Sequence, residues 1–220
     1  MGSMQTDLVA SLVSDERYLE AFKGVTIYGV AGTNASGKDT VMELLEEYGF
    51  VHFNTSNALR RISHAVFKST ERGGNEAPMG VVGNAFRTAY PGGMVDVGLL
   101  DWLVQAGAMP EELRPRGLVI GSIRGTGEAK RLKEAGGKLI VTDADPKLRY
   151  ARIMGRKRVD DKVSFEEFMA NEKADMAPGQ TDPTKFGMAA VMEMADIKIV
   201  TTSNDLDAFR AKVLETLGLK

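Results

Sequence analysis

The chain has no cysteine, two histidines and one tryptophan in 220 residues. The missing cysteine removes disulfides, thiolate metal sites and a cysteine nucleophile together, and it suits a reducing compartment. His52 and His64 are too few for a multi-histidine metal site, and neither has the adjacent Ser–Asp partners of a nucleophilic triad. No apolar run approaches the roughly 18 residues needed to span a membrane. Asp7, Asp15 and Glu16 stand where a secretory signal would be basic and then apolar. Charge of one sign is also lacking: 28 basic residues face 30 acidic ones, a net charge of −2, which argues against a protein that coats nucleic acid. The expectation is a cytoplasmic protein with no membrane or nucleic-acid partner. Its oligomeric state is not legible.

What is present is ordinary for a folded chain, 43% hydrophobic and 26% charged. The length predicts one or two domains, and a chain of this size buries roughly 70% of its unfolded surface. Short apolar, β-rich runs at 25–31, 50–53, 117–120, 138–142 and 197–200 read as strands. Between them lie helical periodicities at 38–47, 57–67, 79–90, 94–105, 128–135 and 206–217. Pro146 opens a further helix with Asp145 as its N-cap, and an amphipathic helix surrounds Phe165, Phe168 and Met169. Met188, Met192 and Met194 read as packing residues. Strands alternating with helices predict a parallel sheet covered on both faces.

The strongest chemical signal follows the first strand. Gly32-Thr33-Asn34-Ala35-Ser36-Gly37-Lys38 matches the phosphate loop G-x-x-x-x-G-K. Glycines let the backbone curl so that successive N–H groups point inward at a phosphate. The helix beginning near Lys38 adds the positive end of its dipole, and Lys38 supplies a cation for the β- and γ-phosphates. A chance glycine-rich turn would not be bracketed by a strand and a helix. The dinucleotide fingerprint G-x-G-x-x-G does not fit, because Gly29 and Gly32 have the wrong spacing.

After Lys38 come Asp39 and Thr40, so that Gly-Lys-Asp-Thr resembles the Gly-Lys-Gly-Thr of adenylate kinase and its relatives. The resemblance to nucleoside monophosphate kinases runs from Val25 to about Phe209. It implies that the loop from Gly32 to Thr40 binds ATP, with Mg²⁺ held mainly through water. Asn54-Thr55-Ser56-Asn57-Ala58-Leu59-Arg60 is similar to the segment whose arginine grips the acceptor phosphate, a role that would fall to Arg60. Val119-Ile120-Gly121-Ser122-Ile123-Arg124 resembles the third-strand motif, making Arg124 a second acceptor ligand and a catalytic charge. Arg87 is a further acceptor-side candidate. Arg152-Ile153-Met154-Gly155-Arg156 resembles the opening of the lid, and implies that Arg152 and Arg156 stabilise ATP and the migrating phosphoryl group. Ala195-Asp196 and the turn after the fifth strand resemble the region beside adenine. The chain also looks like dephospho-CoA kinase-like nucleotide kinases, which share the Ile-Arg-x-x-x-Glu pattern found from Ile123 to Glu128. Arginine suits these roles because its planar fork binds phosphate oxygens in pairs and stays charged.

Two departures stand out. The carboxylate expected at the end of the third strand is replaced by Gly121. Asp39 then either orients Mg²⁺-bound water in its place or only stabilises the helix start. Glu128 stands where adenylate kinase carries Gln; ionised, it can only accept hydrogen bonds. It reads an amine or sugar hydroxyl of the acceptor, or is a solvated helix residue.

The expected fold is an α/β P-loop sandwich with five parallel strands in the order 2-3-1-4-5. A helical N-terminal extension (1–24) precedes a kinase domain (25–220), which carries an acceptor-binding insert at about 54–116 and a lid at about 156–187. The expected function is ATP-dependent transfer of the γ-phosphoryl group to a small phosphorylated acceptor, a nucleoside monophosphate before others. The alternatives are a dephospho-CoA kinase-like enzyme, disfavoured by Asn54 and Asn57 where a carboxylate base is wanted, and a non-catalytic ATP-binding regulator.

Overall fold

The computed structural model describes residues 16–70, 76–90, 92–107, 114–155, 164–177 and 179–219. Five strands, β1 (Thr26–Gly32), β2 (Phe50–Phe53), β3 (Gly117–Gly121), β4 (Lys138–Ala144) and β5 (Ile197–Thr201), form one sheet in the order β2-β3-β1-β4-β5. Every pairing is parallel. All five residues of β3 are buried, as are six of the seven in β1. This is why those strands read as continuous apolar runs rather than alternating ones.

The helices are α1 (Lys38–Glu47), α2 (Thr55–Phe67), α3 (Pro78–Ala89), α4 (Met94–Gly107), α5 (Thr126–Glu134), α6 (Pro146–Gly155), α7 (Phe165–Met176), α8 (Met188–Glu193) and α9 (Leu206–Leu217). One sheet face packs Ile27, Leu118, Ile120, Leu139 and Val141 against Leu99, Leu132 and Met188 of α4, α5 and α8. The other packs Val30, Val119, Ile140 and Ile199 against Val41, Leu44 and Leu45 of α1 and Val213 of α9. A satellite cluster of Leu59, Val82 and Met94 joins α2, α3 and α4. The sheet order and two covered faces are those expected from the sequence. The short α8 was not anticipated, although its Met188 is buried as a packing residue.

Local chemistry sets the helix starts. Asn54 accepts from the Asn57 N–H at 2.9 Å and caps α2. Ser164 and Glu167 form a reciprocal capping box at α7. Asp145 accepts from the Lys147 N–H at 2.8 Å where α6 begins. Of the N-terminal extension, a 3₁₀ helix (Glu16–Phe22) lies within the described residues. Tyr18 Oη donates to Asp96 Oδ1 at 2.6 Å, and Phe22 packs on Trp102 with ring centroids 5.5 Å apart. This 3₁₀ helix is thereby fastened to α4. Asp96 is buried and also meets Arg131 Nε at 3.1 Å, so the buried carboxylate is paired.

Candidate active site

The phosphate loop lies at the carboxyl edge of the sheet, where ligands bind in open parallel α/β folds. Two glycines shape it. Gly32 has φ +144°, and a Cβ there would stand 2.3 Å from the Thr142 carbonyl oxygen on β4. Gly37 has φ +104°, and a Cβ there would stand 2.8 Å from the Phe209 ring. Any larger residue meets both a strained backbone and a neighbour. Ser36 Oγ donates to the Thr33 carbonyl at 2.8 Å and lies 2.7 Å from Thr142 Oγ1, so the loop is tied both to itself and to β4.

Lys38 opens α1 and is buried, with Nζ donating to the Thr33 carbonyl at 2.6 Å. Its ammonium is folded over the loop at a helix N-terminus, a setting suited to anions. Asp39 is exposed in the first turn of α1 and Thr40 is half-buried. Asp143, near the end of β4, accepts from the Ala144 N–H at 2.8 Å and from Thr33 Oγ1 at 3.4 Å. It is a second carboxylate at this edge.

Gly121 carries no carboxylate, and a side chain there would have to displace its neighbours. A Cβ at Gly121 would stand 2.3 Å from Met42 Sδ and 3.1 Å from His52 Nε2. The space is filled from α1 and β2. The next residue, Ser122, adopts φ +62°, and its hydroxyl accepts from Ser56 Oγ at 3.0 Å. A non-glycine residue in this region is uncommon and clusters at functional sites.

On the loop side, Arg152 of α6 acts as a bracket. Nη1 donates to the Ala35 carbonyl at 3.0 Å, Nε to Asn204 Oδ1 at 2.9 Å, and Nη2 to the Ser203 carbonyl at 2.6 Å. The guanidinium therefore joins the phosphate loop to the turn after β5. Sequence reasoning missed Arg149, one turn earlier. It is buried, donates from Nε to the Ala144 carbonyl at 2.8 Å, and makes a two-pronged ion pair with Glu172 of α7. Its guanidinium carbon lies 5.5 Å from the centre of the Phe168 ring. The spacing Arg149–Arg152 on the helix after β4 was a usable signal. The partner Glu172, 23 residues on, was not. Arg156 lies outside the described residues, as does the stretch 156–163 with which the expected lid (about 156–187) begins.

Elsewhere on the same edge of the sheet, Arg124 leaves the end of β3. Its Nη1 lies 3.6 Å from Asp175 Oδ2 of α7, and its guanidinium carbon lies 4.9 Å from the centre of the Phe186 ring. Burial pulls the Arg124 pKa below its ordinary value, and Asp175 pulls back. Arg87 is buried on the same ring, at 6.0 Å, with Nε 3.3 Å from Glu128 Oε1. The other oxygen of Glu128 accepts from the Arg124 and Gly125 N–H groups, both at 2.9 Å. Glu128 is thus a helix cap and ion-pair partner, 1% exposed. Arg60 is half-buried on α2, with Nη1 donating to Asn57 Oδ1 at 2.7 Å.

One expectation is corrected. Asp196 accepts from Leu139 N at 2.8 Å and pairs with Lys133 at 2.6 Å, at the amino end of β4 and β5. It is on the opposite edge of the sheet from the phosphate loop. The turn after β5, which meets Arg152, is at the loop's edge. Among the described residues no group of three or more His, Asp or Glu side chains is placed to cage a metal ion. No helix among them is long and apolar enough to cross a membrane.

No protein-family model matches the chain. It is similar to a UPF0200 protein of Pyrobaculum aerophilum, 25% identical over 204 residues that cover 88% of this chain and 97% of the relative. Among solved structures it resembles TT1252 from Thermus thermophilus, with TM-score 0.52, 19% identity, and coverage of 89% of this chain and 98% of the other. It also resembles shikimate kinase from Acinetobacter baumannii in complex with shikimate, with TM-score 0.50, 16% identity, and coverage of 90% and 96%. With the sheet order and the loop, these likenesses give the chain the fold of the P-loop kinases.

Proposed function

We propose that the chain is an ATP-dependent kinase that moves a γ-phosphoryl group onto a small phosphorylated acceptor, a nucleoside monophosphate in the first instance. The observation that supports this best is the buried Lys38 within a glycine-shaped loop at the carboxyl edge of a parallel sheet, flanked on that edge by Arg124 and Arg152.

Each residue has a role. The N–H groups from Thr33 to Gly37 and the Lys38 ammonium hold the β- and γ-phosphates. Arg152 fixes the loop against the turn at Ser203 and Asn204, and brings positive charge to the ATP side. Arg156 completes that charge. Arg124 and Arg60 take the acceptor's phosphate. Arg87 reaches the same pocket through Glu128, which caps the backbone at Arg124. In the transfer, an acceptor oxygen bonds to the γ-phosphorus as the bond to the bridging oxygen of ADP breaks. The protein's work is to align two polyanions and offset their charge. The donor set fits a magnesium ion held through water, because Asp39 and Thr40 begin α1 and Asp143 ends β4 without forming a closed cage. A bound Mg²⁺ would supply charge neutralisation on the triphosphate.

The test is ADP release with ATP and Mg²⁺ across nucleoside monophosphates, their deoxy forms and dephospho-CoA, with shikimate as an unphosphorylated hydroxyl acceptor. Release that depends on a phosphorylated acceptor supports the proposal. ATP binding without turnover on any acceptor would favour the regulator. Turnover on dephospho-CoA alone would need a base other than Asn54, whose side-chain oxygen caps α2.

A further inference from the structure

Helix α7 crosses from one arginine to the other. Glu172 faces Arg149, and Asp175, one turn on, faces Arg124. The two contacts differ in kind. Glu172 meets Arg149 through both oxygens, with side chains 12% and 4% exposed. Asp175 meets Arg124 through one contact at 3.6 Å, with side chains 39% and 24% exposed. The chain after α7 returns to the same arginine: the Gly187 N–H donates to the Arg124 carbonyl at 3.0 Å, and Phe186 lies against the guanidinium. The first contact is a buried anchor. The second is long, single and open to solvent.

We infer that Asp175 is a placeholder on the anion seat of Arg124, and that the acceptor's phosphate exchanges with it, letting the end of α7 swing while Glu172 stays fixed to Arg149. This deepens the kinase proposal and rests on it for the identity of the acceptor. A phosphate can engage the guanidinium fork with two oxygens at hydrogen-bond distance, where Asp175 offers one contact beyond it. Glu128 cannot play this part. It is 1% exposed, its carboxylate is held by two backbone amides, and Arg87 takes its other oxygen. Arg87 is therefore a positioning residue that keeps Glu128, and through it the Arg124 backbone, in place. The exchange needs no bond making beyond hydrogen bonds and no change of protonation. It also gives the second substrate a way to loosen the arm that covers its own site.

The probe is inorganic phosphate, titrated by calorimetry into the wild type, Asp175→Asn, Arg124→Gln and the double variant. Removing a half-exposed competing carboxylate should tighten phosphate binding about threefold to fivefold. The gain should vanish in the double variant, because phosphate held at the phosphate loop is indifferent to both changes. A gain that persists without Arg124, or no gain in Asp175→Asn, overturns the inference while leaving acceptor-dependent ADP release untouched. Arg124→Gln disturbs a half-buried group that packs on Phe186, so a second measurement avoids it. The chain has no cysteine, and a dye on Ala174→Cys, at an exposed position of α7 beside Asp175, labels the helix end alone. Phosphate should change its emission in the wild-type background and leave it unchanged when Asp175→Asn has already freed the helix end. An emission that phosphate never alters overturns the swing.

Discussion

The hydroxyls of Ser36 and Thr142 lie 2.7 Å apart, and both residues are fully buried. Ser36 gives its proton to the Thr33 carbonyl, so Thr142 supplies the proton between the two hydroxyls. The floor of the phosphate loop is therefore set by β4 as well as by its own glycines. Thr142→Val keeps the shape and removes that donor. It should lower stability by about 1–2 kcal/mol and weaken ATP binding. Urea unfolding and nucleotide titration measure the two, and unchanged ATP affinity would show that β4 does not hold the loop.

Lys38→Ala should leave a folded protein with kcat/KM for ATP-dependent transfer lowered about 10²–10³-fold, the scale for removing one preorganised charge from a developing anion. Far-UV circular dichroism checks the fold and coupled ADP release checks the rate. Turnover at the wild-type rate would sink the assignment of the loop.

Glu172→Ala should be the most destabilising single change to α7. It leaves the Arg149 guanidinium buried without its carboxylate, a change that costs about 3–5 kcal/mol when a buried pair is broken. Asp175→Ala, acting on an exposed pair, should cost below about 1 kcal/mol. Chemical denaturation of the two variants side by side tests the ranking, and equal losses would contradict the anchor.

Asp196 carries an acid dependence away from the site. Burial pushes its carboxyl up, but the Leu139 N–H and the Lys133 ammonium outweigh it and leave the pKa below the ordinary 3.8. A carboxylate whose pKa is lowered by folding stabilises the native state above its unfolded value, and that contribution is lost as pH falls through the folded value. Asp196→Asn should therefore be less stable than the wild type at pH 7, by below about 1 kcal/mol. The gap should close below pH 3.8. Thermal melts across that range decide it, and a gap that widens in acid would reverse the sign.

The strands, the phosphate loop and the helix start at Asp145 were legible because each rests on residues close in the chain; the sheet order came with the resemblance, and the helix capped by Asn54 was read as starting at Asn57. Apolar runs mark strands, glycines mark the loop, and an Asn or Asp side chain caps within three residues. The arginines were legible as candidates but their employment was not. Arg152 binds the turn at Ser203, 51 residues away, and Arg87 meets Glu128 across an intervening helix and strand. Glu128 could be taken for an acceptor-reading group because its spacing from Arg124 suits a surface helix as well as a cap. Only the fold shows its carboxylate turned onto the Arg124 and Gly125 amides. Asp196 was misplaced against the sequence's own logic: in an all-parallel sheet a residue ahead of β5 lies at the amino edge, away from the phosphate loop.

The crowding at Gly121 has an evolutionary side. With Met42 Sδ 2.3 Å from where a Cβ would begin, an acidic group gained at this strand end makes the flexible Met42 side chain turn aside. That displacement disturbs the α1 face, where Met42 is buried, so the gain carries a packing cost. Directed evolution toward faster catalysis should follow it with a smaller residue at 42, or circumvent it by working on Asp39 and Asp143.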